Sequence, residues 1–200
     1  QSGGSGEFAE VWLRVEPTER GSGLEFVNSI FGGAISQSYV QSVEKGITAM
    51  MKDGVLAGCE FVDIKVEVYD GKEHPVDSKD VAFQKAGRGA FKLAVNNARP
   101  VLLEPIVNLE VSFPSEYTGD IQGDITRRRG RVQGVDSQGD FQTIKALVPL
   151  AELTDYASSL GSATGGQGAY TIEMAHYETV PANIQQKVID AYNAERNQED

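Results

Sequence analysis

Along this chain the spacing of apolar residues switches repeatedly between two periods, and the order of the switches limits the folds available. Val62, Ile64, Val66 and Val68 alternate with Asp63, Lys65 and Glu67, the period-two pattern of a strand with one buried face. Val11, Leu13 and Val15 alternate likewise with Trp12, Arg14 and Glu16, and 24–30 is a shorter apolar run that stops at Gly32-Gly33. Between these runs the period lengthens to that of a helix. Over 37–53, Val40, Val43, Ile47, Met50 and Met51 share one face, closed by Asp53-Gly54; over 77–98 the stripe is Phe83, Ala86, Ala90, Leu93 and Ala94. Asp77 or Ser78 is the expected N-cap and Pro100 the stop, while Asp70-Gly71 reads as a turn ending the 62–68 strand. Small residues at Ala86, Gly87, Gly89 and Ala90 suit close approach to a sheet, and the Met pair suits core filling.

After Pro100 the pattern restarts. Ile106 opens a strand through Val107, Leu109, Val111 and Phe113, a helix spans 115–129, and a strand begins at Arg131. A turn at Asp136-Ser137-Gln138-Gly139, a strand at 141–150, a helix at 152–160, glycine-rich 161–168 and a strand with Tyr170, Ile172 and Met174 inward complete it. The order β-α-β-β-α-β is the split βαβ or ferredoxin-like arrangement. A last helix, 182–196, carries Ile184, Val188 and Tyr192 on one stripe. The expected class is α+β: two α/β modules, 1–100 and 101–181, with the C-terminal helix (182–200) packing back on the first.

Composition removes several functions. The 200 residues suffice for a core without staples. Lone Cys59 excludes an internal disulfide or a cysteine cluster for metal, and beside Gly58 it reads as a small buried hydrophobe rather than a nucleophile. His74 and His176 lack partners at ligand spacing, and no glycine cluster has the lysine of a phosphate loop. Gly130-Arg131-Val132-Gln133-Gly134-Val135 looks like an acylphosphatase loop, but it follows a helix and runs into a hairpin. No metal, cofactor or catalytic residue is therefore expected. No apolar run spans a bilayer and no leader opens the chain, so the expected compartment is the cytoplasm. Eighteen basic against twenty-nine acidic side chains give a net charge of −11, which argues against indiscriminate adhesion to nucleic acid. Residues 101–200 hold seven basic and fifteen acidic groups, four of the seven being Arg127, Arg128, Arg129 and Arg131. Any polyanion contact in that half must be local.

A set of ordered strings adds a second line of reading. They include Gly3-Gly4-Ser5-Gly6-Glu7-Phe8, Val43-Glu44-Lys45-Gly46, Gly54-Val55-Leu56-Ala57-Gly58 and His74-Pro75-Val76-Asp77-Ser78. Tyr117-Thr118-Gly119-Asp120, Arg128-Arg129-Gly130 and Val148-Pro149-Leu150-Ala151-Glu152 continue the series. Across residues 2–198 the chain resembles the last two domains, four and five, of the elongation factor G family of translational GTPases. The resemblance implies a first domain like domain 2 of ribosomal protein S5, then the ferredoxin-like domain. It also implies ribosome contact by an arm that promotes movement of transfer RNA and messenger RNA. The GTP- and Mg-binding domains of the same polypeptide would lie upstream, and this chain would have no catalysis of its own.

The resemblance carries two tip loops onto this sequence: Gly32, Gly33, Ala34, Ile35, Ser36, Gln37, Ser38 and Tyr39, and Lys72, Glu73 and His74. In the second domain it implies ribosome contact through Arg127, Arg128, Arg129, Arg131, Ser162 and Thr164. A strand end leading into a helix start offers N–H groups to phosphate, and His74 offers a hydrogen bond to RNA or else caps a turn. The family usually has proline where Ser36 and Gln41 stand, often a basic residue at Gln37, an aromatic at Glu73, and arginines at Gly161 and Gln167. Losing proline is expected to loosen the first loop, and losing cations to weaken phosphate contact. Those departures point to a divergent paralogue. They also keep a second function open, an acidic protein-interaction module that has kept the fold.

Overall fold

The computed structural model describes residues 6–199; Gly3–Ser5 of the glycine-rich opening string lie outside the described residues. The chain divides into two compact units, Gln1–Val101 with Asn183–Asp200, and Leu102–Ala182.

The first unit contains β1 (Glu10–Pro17), β2 (Leu24–Asn28), α1 (Gln37–Asp53), β3 (Ile64–Lys72) and α2 (Asp80–Asn97). The sheet order is β1-β3-β2, with β1 antiparallel and β2 parallel to the central β3. Ile64, Val66 and Val68 of β3 are buried with Val40, Val43, Ile47 and Met51 of α1 and Phe83, Phe91 and Val95 of α2. The two helices cross at glycines. A Cβ on Gly46 would stand 2.2 Å from the Gln84 carbonyl oxygen, and one on Gly87 would stand 2.7 Å from that of Val43. Helix α2 lies against β1, the close approach to a sheet that its small residues suit, and at Gly87 it comes close to α1 as well.

Four local expectations change for physical reasons. The buried ladder on α2 runs Phe83, Gly87, Phe91, Val95, and Leu93 lies off it, 69% exposed. Asp70-Gly71 is not a turn but the end of β3. A Cβ at Gly71 would fall 2.2 Å from Ile35 Cδ1 and 2.4 Å from the Glu10 carbonyl, so the glycine makes room rather than bending the chain. Asp77 and Ser78 do not cap α2, whose N-cap is Lys79 without a side-chain cap. Their side chains hold the N-terminal segment instead, as described below. Cys59 is exposed rather than buried, in the loop after Gly58. Helix α5 (Ala182–Glu199) belongs to this unit, with Tyr192 set against Gly58, where a Cβ would meet its ring at 2.7 Å.

The second unit holds β4 (Leu103–Pro114), α3 (Thr118–Arg127), β5 (Arg131–Gln138), β6 (Phe141–Pro149), α4 (Tyr156–Ala163) and β7 (Ala169–Thr179). The antiparallel sheet is ordered β5-β6-β4-β7, the ferredoxin-like order. Val107, Leu109, Val111 and Phe113 of β4 and Ile144, Ala146 and Val148 of β6 pack with Ile121 and Ile125 of α3 and Tyr156 and Leu160 of α4. Ile172 and Met174, expected inward, are 37% and 51% exposed. They stand on edge strand β7, which has a neighbouring strand on one side only, whereas Tyr170 on the same strand meets Tyr156 edge-on at 5.0 Å.

Candidate nucleic-acid interface

Because β2 and β3 are parallel, the loops leaving their C-terminal ends emerge at the same end of the sheet. These are the loops containing residues 29–36 and 73–79. They are joined directly, the Ser36 N–H donating to the Glu73 carboxylate at 2.8 Å. The N-terminal segment braces the second loop from the other side. Ser78 Oγ donates to the Phe8 carbonyl at 2.8 Å and accepts the His74 N–H at 2.8 Å, the Gly6 N–H reaches Asp77 Oδ1 at 3.1 Å, and the Phe8 N–H reaches the Asp77 carbonyl at 2.9 Å.

Ser36 explains how this chain manages without proline. Its φ of −66° and ψ of 151° lie where proline's ring would fix φ. Serine reaches the same conformation with an N–H that proline lacks, and Glu73 accepts it. The Glu73 carboxylate, standing where the family usually has an aromatic, is thus a latch between the loops.

Not every expected contact residue faces outward. Ile35 is 3% exposed and packs in the core, since Gly71 opens the space for it; it presents no surface to a partner. Tyr39 stacks on Phe83 at 4.5 Å and donates its hydroxyl to the Ser78 carbonyl at 2.9 Å, so it is chiefly a brace. Gly32 and Gly33 are exposed at φ +68° and +71°, left-handed values that glycine takes without strain. Ala34 and Ser36 are half-buried, and Gln37, Ser38, Lys72 and His74 are exposed. His74 caps its own turn, Nδ1 accepting the N–H groups of Val76 and Asp77 at 3.2 and 3.1 Å. In the neutral ring that leaves the proton on Nε2, on a side chain that is 48% exposed.

Residues 1–99 match the family described as "Elongation factor G, domain IV", and residues 101–188 match "Elongation factor G C-terminus". The chain belongs to the elongation factor G family. It is also similar to a Thermus thermophilus protein of known crystal structure, at 43% identity and a TM-score of 0.79, over 97% of this chain and 29% of that one. The chain thus spans less than a third of that protein's length.

In the second unit, which corresponds to the elongation factor G C-terminus, the arginine cluster is occupied internally. Helix α3 ends with Arg129 in the left-handed region (φ 60°) and the Gly130 N–H bonded to the Ile125 carbonyl at 2.8 Å, a Schellman closure with arginine where glycine is usual. Arg129 forks onto Glu104 at 2.7 and 2.8 Å and reaches Glu152 at 2.8 Å. Arg128 holds Asp124 at 2.8 Å and Asp155 at 2.6 Å, and its side chain is only 12% exposed. Glu104 and Asp155 push these two guanidinium pKa values further up. Arg131 pairs with Glu178, and Arg131 together with His176 holds that carboxyl down at about 2. Arg127, paired to Asp124 at 3.0 Å, remains 79% exposed. Four guanidiniums thus meet five carboxylates. The cluster expected to face phosphate is neutralised within its own unit, and Arg127 is its best-exposed member.

Of the last two expected contacts, Ser162 is exposed and Thr164 is not. Thr164 is fully buried; its Oγ1 donates to the Leu160 carbonyl at 2.8 Å and accepts the Gly168 N–H at 2.9 Å, closing the glycine-rich loop after α4. Sequence reasoning missed Phe31, which is 93% exposed between β2 and Gly32. Its signal was present: a large apolar side chain that neither the strand period nor the helix period absorbs.

Proposed function

We propose that this chain is the ribosome-contacting arm of an elongation-factor-G-like translational GTPase, promoting transfer RNA–messenger RNA translocation or a related step of protein synthesis. The observation that carries the reading is the latch between Ser36 and Glu73. It unites, at one end of one sheet, the two loops for which family membership implies contact with the decoding region. Preorganised loops offering Ser38 and Gln37 side chains, the Lys72 ammonium and His74 Nε2–H suit a surface of phosphates and base edges. In this reading the arm performs no chemistry. GTP and Mg are bound by upstream domains of the same polypeptide, and the protein works in the cytoplasm.

Co-sedimentation with ribosomes across a salt series tests the proposal. Binding that weakens as salt rises is expected, with a shallow slope because Lys72 is the single Lys or Arg among the residues assigned to the two tip loops. No binding at low salt, with the fold intact, would overturn it. A second reading, a protein-interaction module, is favoured by one observation, the internal neutralisation of Arg128, Arg129 and Arg131. It predicts no ribosome pelleting at any salt.

A further inference from the structure

The loop from Ser29 to Ser36 contains no Lys, Arg, Asp or Glu. Whatever it touches is held there without ion pairs of its own. Among the described residues Phe31 is the most exposed large hydrophobic side chain, at 93%, so both faces of its ring are open to solvent. Hydrophobic contact within the unit explains neither its size nor its position. The two residues that follow are glycines with nothing within 4 Å of where a Cβ would stand, which leaves clearance beside the ring. The other exposed side chains within 28–38 are Asn28, Ser29, Gln37 and Ser38, amides and hydroxyls without charge.

We infer that Phe31 is a stacking platform for an unpaired or partly unstacked nucleobase of the RNA that this end of the unit meets. An open aromatic face on an uncharged segment whose other exposed side chains are amides and hydroxyls matches a base, which has an apolar face and a polar edge. A protein pocket would be better matched by a ring set among other apolar side chains, where a dry rim forms around the anchor. The inference rests on the ribosomal reading above and adds to it the residue that engages a base rather than a phosphate.

The test compares the wild-type chain with Phe31→Ala, Phe31→Leu and Phe31→Trp. The probes are ribosomes programmed with a messenger RNA carrying 2-aminopurine in its codon, and a free single-stranded RNA with the same fluorophore. Phe31→Ala is expected to weaken binding by about 5- to 150-fold. Phe31→Leu should not rescue it, Phe31→Trp should, and the salt slope should be equal in all four because no charge changes. Ribosome binding by the wild type that Phe31→Ala or Phe31→Leu leaves unchanged overturns the inference and spares the ribosomal reading. Phe31-dependent quenching of the free RNA without ribosome binding overturns the reading and spares the inference. Absence of both signals removes both.

Discussion

Replacing Ser36 by proline isolates the latch, because the two consequences of the change have opposite signs. The φ at this position already suits proline, so a stiffer unfolded chain contributes about 0.4–1 kcal/mol of stability. Proline also removes the N–H that Glu73 accepts at 2.8 Å, and a hydrogen bond to a charged group is worth about 1.5–3 kcal/mol. Both residues are half-buried, which places the loss at the lower end of that range. Ser36→Pro alone should therefore destabilise the first unit by about 1 kcal/mol. In a Glu73→Ala background the N–H has already lost its acceptor, so the same substitution should stabilise by about 0.4–1 kcal/mol. Trp12, the single tryptophan, sits in β1, and its fluorescence during urea unfolding reports on this unit. A double-mutant cycle with no change of sign between the two backgrounds would refute the latch.

The helix crossing gives a paired test. Gly46→Ala, whose Cβ would press on the Gln84 backbone, should cost about 1–3 kcal/mol by overpacking; Gly89→Ala, open on all sides in α2, should gain about 0.5–1 kcal/mol. Urea midpoints read both. Tyr156 is 1% exposed with a hydroxyl that finds no hydrogen-bond partner, and burial pushes its phenol up to about 12. Tyr156→Phe should therefore raise the stability of the second unit by about 1 kcal/mol, measured by circular dichroism melts. Glu178, ordinarily near 4.5, is held down at about 2. Its pairing contributes above pH 4.5 and is lost as pH falls towards 2. Carboxyl NMR titration of Arg131→Ala should show its midpoint moving up, but short of the ordinary value while His176 still faces it.

The backbone order of both units was legible in the sequence because period is a property of neighbouring residues: Ile64, Val66 and Val68 alternate in burial with Lys65 and Glu67 as their spacing requires, although Val62, expected on the same face, precedes β3 and is exposed. What period could not reveal was which partner a side chain would meet across the chain. Ser78 and Asp77 look like caps for α2 until the segment at Phe8 arrives to claim them. Leu93 fits a helical stripe, but the glycine crossing sets the phase of α2 by Phe83, Gly87 and Phe91. The arginine run looks like a phosphate surface because all but one of its carboxylates come from distant elements; Glu104, Glu152, Asp155 and Glu178 lie 23 to 47 residues away, and Asp124 alone is local. Thr164 and Ile35 sit within strings that point to contact, yet their short, bonded or apolar side chains serve the loops that present their neighbours.

If the joined loops at the end of β2 and β3 meet ribosomal nucleic acid, a reagent carried by those loops should mark the RNA beside them. Cleavage of ribosomal RNA directed from the protein reads this contact. With Cys59 changed to Ser, a single cysteine at Gln37 would carry an iron chelate that generates hydroxyl radicals on the bound ribosome. Cuts are expected in small-subunit RNA at the decoding region, lost when the chelate is moved to the α5 position Lys187. Ribosome binding with no cleavage from residue 37, or the same cleavage from residue 187, would contradict that contact.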